Sequence, residues 1–359
     1  MAHEIEFRSG KYSFVENGKH ELSWHNLGTV YDRPLTATEA LVGCRADYVV
    51  ESRMLTSLTE EQLVKVNSGE PVIILPEQIS ESHRAITRKD TNKILSVASD
   101  RYSILQNTKA FEFVDYLTTG ELGTKASIDA AGVLMDGKKI FITAKFDEQV
   151  KIPGSNNDIM DFYLVFTNGF DKQSPVCCMT TPIRVVCNNT LNAAFNNNSG
   201  RIRFRHFGDI ESKLQLKEEN VKHALRCLNV FDSYKKEFMH GIEILGNKTL
   251  TEEQSDNIIK FIFCPEGLKK KLINNNYDIN TNDFSSVYRN VVNKVKDSVN
   301  NGIGQEIVQK DTGLWLFNGI TTSTQNKLNF KSETKKFESL TEGKAYDYLN
   351  EAYKLILAA

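Results

Sequence analysis

The chain has 359 residues, 40% of them hydrophobic and 25% charged, a balance that suits a globular protein with apolar material for one large domain or two moderate ones. Its 44 lysines and arginines against 46 aspartates and glutamates give a net charge of -2, which excludes a whole-chain pull toward nucleic acid or anionic membrane, so any basic surface must be local. Six cysteines without C-x-x-C spacing, an opening MAHEIEFRSG with no apolar core, and no apolar run near the roughly 20 residues of a membrane span lead us to expect a reduced, cytoplasmic protein.

In chain order, residues 1–90 read as an irregular N-terminal segment with WHNLG at 24–28 and one short helix at TEEQLVKVN. KILSVASDRYSILQN reads as two short strands around the Ser99-Asp100 turn, and NTKAFEFVDYLTTG as a helix ending at Gly120. ASIDAAGVLMDGKKIFITAKF is the clearest hairpin, because Asp136-Gly137 is a tight-turn pair between two apolar runs. DFYLVFTNG and SPVCCMTTPIRVVC are two further strands, the first too apolar to be half exposed. NNTLNAAF begins a helix that Asn188 or Asn189 can cap, and RIRFRHFG is another strand. Leu214, Val221, Leu225, Leu228, Phe231, Tyr234 and Phe238 then recur at three- and four-residue steps, the stripe of a long amphipathic helix. Helical patterns continue to the end. The expected class is α+β, with a central, mostly antiparallel sheet, packed helices and a helical C-terminal part. The expected divisions are 1–90, an α+β core at 91–245, and a helical region at 246–359.

Two clusters carry candidate chemistry. In RIRFRHF, strand alternation sends Arg201, Arg203 and Arg205 to one face, guanidinium groups roughly 6 to 7 Å apart, able to follow a phosphate backbone. The alternative is a solvated edge strand whose charges discourage aggregation. In TPIRVVCNNTLNAAF, Arg184 sits within an apolar run, while Asn188, Asn189 and Thr190 fall at a helix start. There, unpaired N–H groups favour an anion, although capping alone explains one or two of these groups. Arg101 and Tyr102 follow a turn and are candidates for contact with a nucleic-acid strand. No Walker loop, dinucleotide fingerprint or metalloprotease motif occurs, and Asp158 and Asp161 lack enough partners to make a metal site. No cofactor is expected.

Taken in order, WHNLG, DRYSILQN, GKKIFITAKF, YLVFTNGFD, TPIRVVCNNTLNAA, RIRFRH and GLWLFNGIT resemble the phage/plasmid-like proteins that share domain of unknown function 932, over about residues 20 to 325. Asn188 stands where a glutamine is frequent in that pattern, and Asn318-Gly319 where Asn-Ala is more usual. The resemblance implies a mobile-element setting, and by fold-level analogy with single-strand annealing proteins, binding of single-stranded DNA by a homo-oligomer with no membrane and no covalent chemistry. In that reading Arg201, Arg203 and Arg205 hold the backbone, Arg184 with Asn188, Asn189 and Thr190 holds one phosphate, and Tyr102 stacks on a base. An enzyme acting on a nucleotide or nucleic acid through Cys187 or His206, and a structural or host-interaction protein, are the alternatives.

Overall fold

The computed structural model describes residues 5–18, 28–118, 126–152, 159–184, 201–210, 221–302, 304–326, 339 and 343–359. Period-two apolar patterns build its main sheet. The strands β8 (Ala126–Leu134), β9 (Lys139–Lys151), β10 (Ile159–Gly169), β11 (Val176–Arg184) and β12 (Arg201–Phe204) pair antiparallel in sequence order. On the β8 side, β3 (Phe14–Asn17) and then β4 (Thr29–Tyr31) complete seven strands, β3 antiparallel to β8 and parallel to β4. The β8–β9 turn is where Asp136-Gly137 puts it: Met135, Asp136 and Gly137 have φ of 54°, 55° and 91°. Glycine is needed at the last of these, since a Cβ there would lie 2.7 Å from Nη1 of Arg88.

Alternation sorts the two faces. Ile140, Ile142 and Ala144 of β9 and Leu164 and Phe166 of β10 form a first core with Phe111, Phe113, Val114 and Leu117 of α3 (Asn107–Thr118). The Phe113 and Phe166 rings meet at 5.9 Å. β9 and β10 run past this core, and near the start of β10 Met160 and Phe162 join a second one. There Phe162 meets Phe238 of α4 (Val221–Asn247) edge-on at 5.9 Å. The helices α5 (Glu252–Phe263), α6 (Lys269–Asn274), α7 (Ser286–Asn301), α8 (Gly313–Asn326) and α9 (Lys344–Ala358) supply the rest of that core. α4 therefore packs with the helical part as well as against β11 and β12, so the second core begins before residue 246. α8 is its centre: every residue from Thr312 to Gln325 is buried. At Gly319 a Cβ would lie 2.4 Å from Cα of Val299 in α7, so only glycine allows that approach. Buried amides there are satisfied, Gln305 donating to the Trp315 carbonyl at 3.0 Å and Asn318 donating to Gln305. No described helix is long and apolar enough to cross a membrane.

Residues 5–18 and 28–90 are not irregular, which corrects the sequence expectation. β1 (Phe7–Arg8) and β2 (Lys11–Tyr12) form a small hairpin, and α1 (Ala37–Gly43) packs on β3 and β8 behind a Thr36–Glu39 capping box. A separate antiparallel sheet runs β5 (Val50–Thr56), β6 (Ile79–Arg88), β7 (Lys93–Ser99), with α2 (Glu60–Ser68) between its first two strands. β1 to β4, at two to four residues, are too short for alternation to be read, and the longer β5 and β6 bury no side chain over most of their length, so their pattern carries no apolar alternation. The strand expected after Ser99 is also reduced, to one bridge between Tyr102 and Phe207. Arg88 joins these parts. Its guanidinium, 1% exposed, pairs with Glu6 and with Asp90 at 2.7 Å and lies 3.7 Å from the Tyr48 ring centre.

Candidate nucleic-acid interface

Among the described residues β12 is the last strand of the main sheet, bonded to β11 in the register Arg201↔Met179, Ile202↔Cys178, Arg203↔Cys177, Phe204↔Val176. Ile202 and Phe204 pack on the first core beside Val176 and Cys178. Alternation then leaves Arg203 and Arg205 exposed. Arg201 holds the matching strand position, with its side chain outside the described residues.

The residues just after β12 are pinned to a loop a hundred positions earlier in the chain. The Tyr102↔Phe207 bridge is antiparallel, and the Ser103 amide donates to the His206 carbonyl at 3.2 Å. In return the His206 Nδ1 donates to the Ser103 carbonyl at 2.9 Å, which fixes the neutral tautomer with hydrogen on that nitrogen. The rings of Tyr102 and His206 stack at 4.8 Å and 16°, and the Tyr102 hydroxyl donates to the Gly169 carbonyl at 2.9 Å. Burial lowers the His206 pKa below its usual value, opposed by the Ser103 carbonyl and by Asp171. The same cause raises that of Tyr102. Tyr102 thus holds the loop to the strand, with one ring face already occupied. The clamp brings exposed Arg101 to the same edge as Arg203 and Arg205. Lys172, exposed at a φ of 67°, stands in the β10–β11 turn whose Ser174 backbone lies against His206.

Away from the first core, the register aligns positions 203, 177, 167 and 141 in one cross-strand row and 201, 179, 165 and 143 in the next. Phe141, Thr143, Tyr163, Val165 and Thr167 on this side are half-buried, and none belongs to either core. β10 is therefore half exposed on one side, against the expectation from its apolar content. Apolar residues on both faces hide the alternation. Lys145 on the same side is already neutralised by Asp161 at 2.7 Å, and Gln149 donates to that carboxylate at 3.0 Å.

Arg184 ends β11 opposite Met160, and its side chain lies outside the described residues. So do Cys187, Asn188, Asn189, Thr190, the Trp24-His25 pair and Asp158. The structure therefore unites Arg101, Tyr102, Arg203 and Arg205 at one edge. Sequence reasoning missed Lys172, the His206 stack and the Phe141–Tyr163 face. Only the polar positions Tyr163 and Thr167 within DFYLVFTNG, on one face of the strand, offered a signal for that face.

A family model described as Domain of unknown function (DUF932) matches residues 94–342. That span takes in nearly all of β7, the strands through β12, the clamp and the helices through α8. No curated protein and no solved structure matches the chain.

Proposed function

The chain belongs to the DUF932 family, and we propose that it binds single-stranded DNA along the β12 edge of its main sheet, as a phage- or plasmid-type protein of replication or recombination. The observation that supports this most is the convergence of Arg101 with Arg203 and Arg205 at one exposed edge. In a chain with net charge -2, a local group of permanently charged, planar donors suits phosphate oxygens. Two and three strands further across the sheet, beyond buried Cys177 and Met179 of β11, half-buried Tyr163 and Phe141 offer ring surface and Thr167 and Thr143 offer hydroxyls, the kinds of group by which sheet faces hold unpaired bases. Binding of this kind aligns strands for annealing without a covalent step and without a cofactor. His206, stacked and hydrogen-bonded, serves as a strut. Self-association into a continuous track completes the reading.

The test is a fluorescence-anisotropy titration of the purified protein with labelled single-stranded and duplex oligonucleotides at several salt concentrations. The expected result is preference for the single strand, with affinity falling as salt rises. Absence of binding, or equal affinity for duplex, contradicts the proposal.

A further inference from the structure

A cleft of about 680 Å³ opens between the β1–β2 hairpin, β4 and α1, at the opposite end of the main sheet from β12. Lys11 and Tyr12 line it from the hairpin, Tyr31 from β4, and Thr38, Glu39 and Arg45 from α1 and the turn that ends it. Sites for small molecules span about 300–1,000 Å³, so the space exceeds what a bare phosphate would fill and suits a ligand with an organic part. Its charge is positive. Glu39 is the one carboxylate among the lining residues, and it is already engaged: Arg33 donates to both of its oxygens, at 2.9 and 2.5 Å, and the Thr36 amide to one of them at 3.0 Å. These contacts, Arg33 first, hold the pKa of its carboxyl down at about 2. Lys11 is exposed, and among the described residues neither it nor Arg45 pairs with a carboxylate.

Arg45 is held there against the preference of the backbone. It follows α1 at a φ of 59°, its amide donating to the Val42 carbonyl at 3.0 Å and the next amide, of Ala46, to the Leu41 carbonyl at 2.9 Å. Helix ends of this form ordinarily take glycine at that position, because a Cβ is strained in the left-handed region. The side chain present instead donates through Nη1 to the Arg8 carbonyl, which fixes the guanidinium between hairpin and helix with further N–H donors for an anion. Tyr12 and Tyr31, both half-buried, are steadied by the Phe7 ring at 4.8 Å and by Arg33 at 5.7 Å. Fixed rings give a flat ligand a surface to lie on.

We propose that this cleft binds a nucleoside phosphate, with Lys11 and Arg45 holding the phosphate, a tyrosine ring carrying the base and the Thr38 hydroxyl serving the sugar. Neither a bare anion nor an apolar ligand matches both halves of the lining. The inference is independent of strand binding at β12.

Isothermal titration calorimetry of the full chain with deoxyadenylate, deoxyadenosine and inorganic phosphate tests it. Deoxyadenylate is expected to saturate one site and to bind about tenfold or more tightly than either fragment, and Lys11→Gln and Arg45→Gly should each weaken it by about tenfold. Lys11 is exposed and glycine suits the left-handed backbone at 45, so both variants should fold, as circular dichroism would show. No saturable binding of deoxyadenylate, phosphate binding as tightly as deoxyadenylate, or an affinity unchanged in both variants would overturn the proposal. Arg201→Gln/Arg203→Gln/Arg205→Gln should leave deoxyadenylate binding intact; its loss there would place the nucleotide at β12 and overturn the proposal as well. A strand end presents the same group as a free nucleotide. In that triple variant, competition by a short oligonucleotide with a terminal phosphate upholds the proposal with a strand end as the source, and lack of competition upholds it with the free nucleotide.

Discussion

At His206 the surroundings accept a neutral imidazole. Nδ1–H is bonded to the Ser103 carbonyl, and burial lowers the pKa from its usual 6.5 against the opposing pull of the Ser103 carbonyl, Asp171 and the Ser174 backbone. A base with a lowered folded pKa contributes stability that is present above the unfolded value of 6.5 and lost as pH falls through the folded one. The clamp on Tyr102 should therefore loosen below pH 6.5. The Ser103 amide, corrected for intrinsic exchange, is expected to exchange faster at about pH 5 than at about pH 7.5, and His206→Phe should remove that difference. An unchanged ratio in wild type would argue against the clamp. Arg88 makes the opposite kind of claim, because its charge is kept while buried. Arg88→Ala leaves Glu6, 5% exposed, without its cation, and should cost about 3–5 kcal/mol in denaturant unfolding. A loss below about 1 kcal/mol would mean that water reaches Glu6 and that the joint is weaker than its geometry suggests.

Among the elements, the β8–β9 hairpin shows what a short sequence signal can carry. Asp136-Gly137 names both the turn and the pairing of its flanking strands, because a positive φ at glycine is a local requirement. Gly137→Ala should destabilise by about 1–2 kcal/mol for the left-handed backbone alone, and by more where the new methyl meets Arg88. A neutral Tm shift would count against the turn geometry. The helix from Val221 is legible for the same reason, being local and periodic; of its expected stripe Phe238 is buried, while Leu214 and the side chains of Val221, Leu225, Leu228, Phe231 and Tyr234 lie outside the described residues, and Phe238→Ala should cost about 3–5 kcal/mol by opening a cavity at Phe162. The features beyond the reach of sequence are non-local. β3 and β4 join the main sheet through strands of four and three residues, and the Tyr102↔Phe207 bridge links positions a hundred residues apart. Nothing in either segment's own pattern names its partner. Arg203 and Arg205 are visible through alternation in RIRFRHF, whereas their meeting with Arg101 needs the fold.

For the whole molecule, two cores share one sheet. β9 and β10 enter both, so Phe146 packs against each. The basic edge sits at the far end of that sheet from β3 and β4, while β5, β6 and β7 form a separate sheet. The claim that β12 is the phosphate track is tested most directly by the salt dependence of single-stranded DNA binding in Arg201→Gln/Arg203→Gln/Arg205→Gln, beside wild type. The side chains at 203 and 205 are exposed, so the fold should survive, as circular dichroism would show. Each lost phosphate contact lowers the slope of log affinity against log salt by ~0.7 on single strands, so three contacts predict a slope lower by ~2 and weaker binding throughout. A folded triple variant with wild-type affinity and slope would contradict the account and leave these arginines as surface charges of an edge strand.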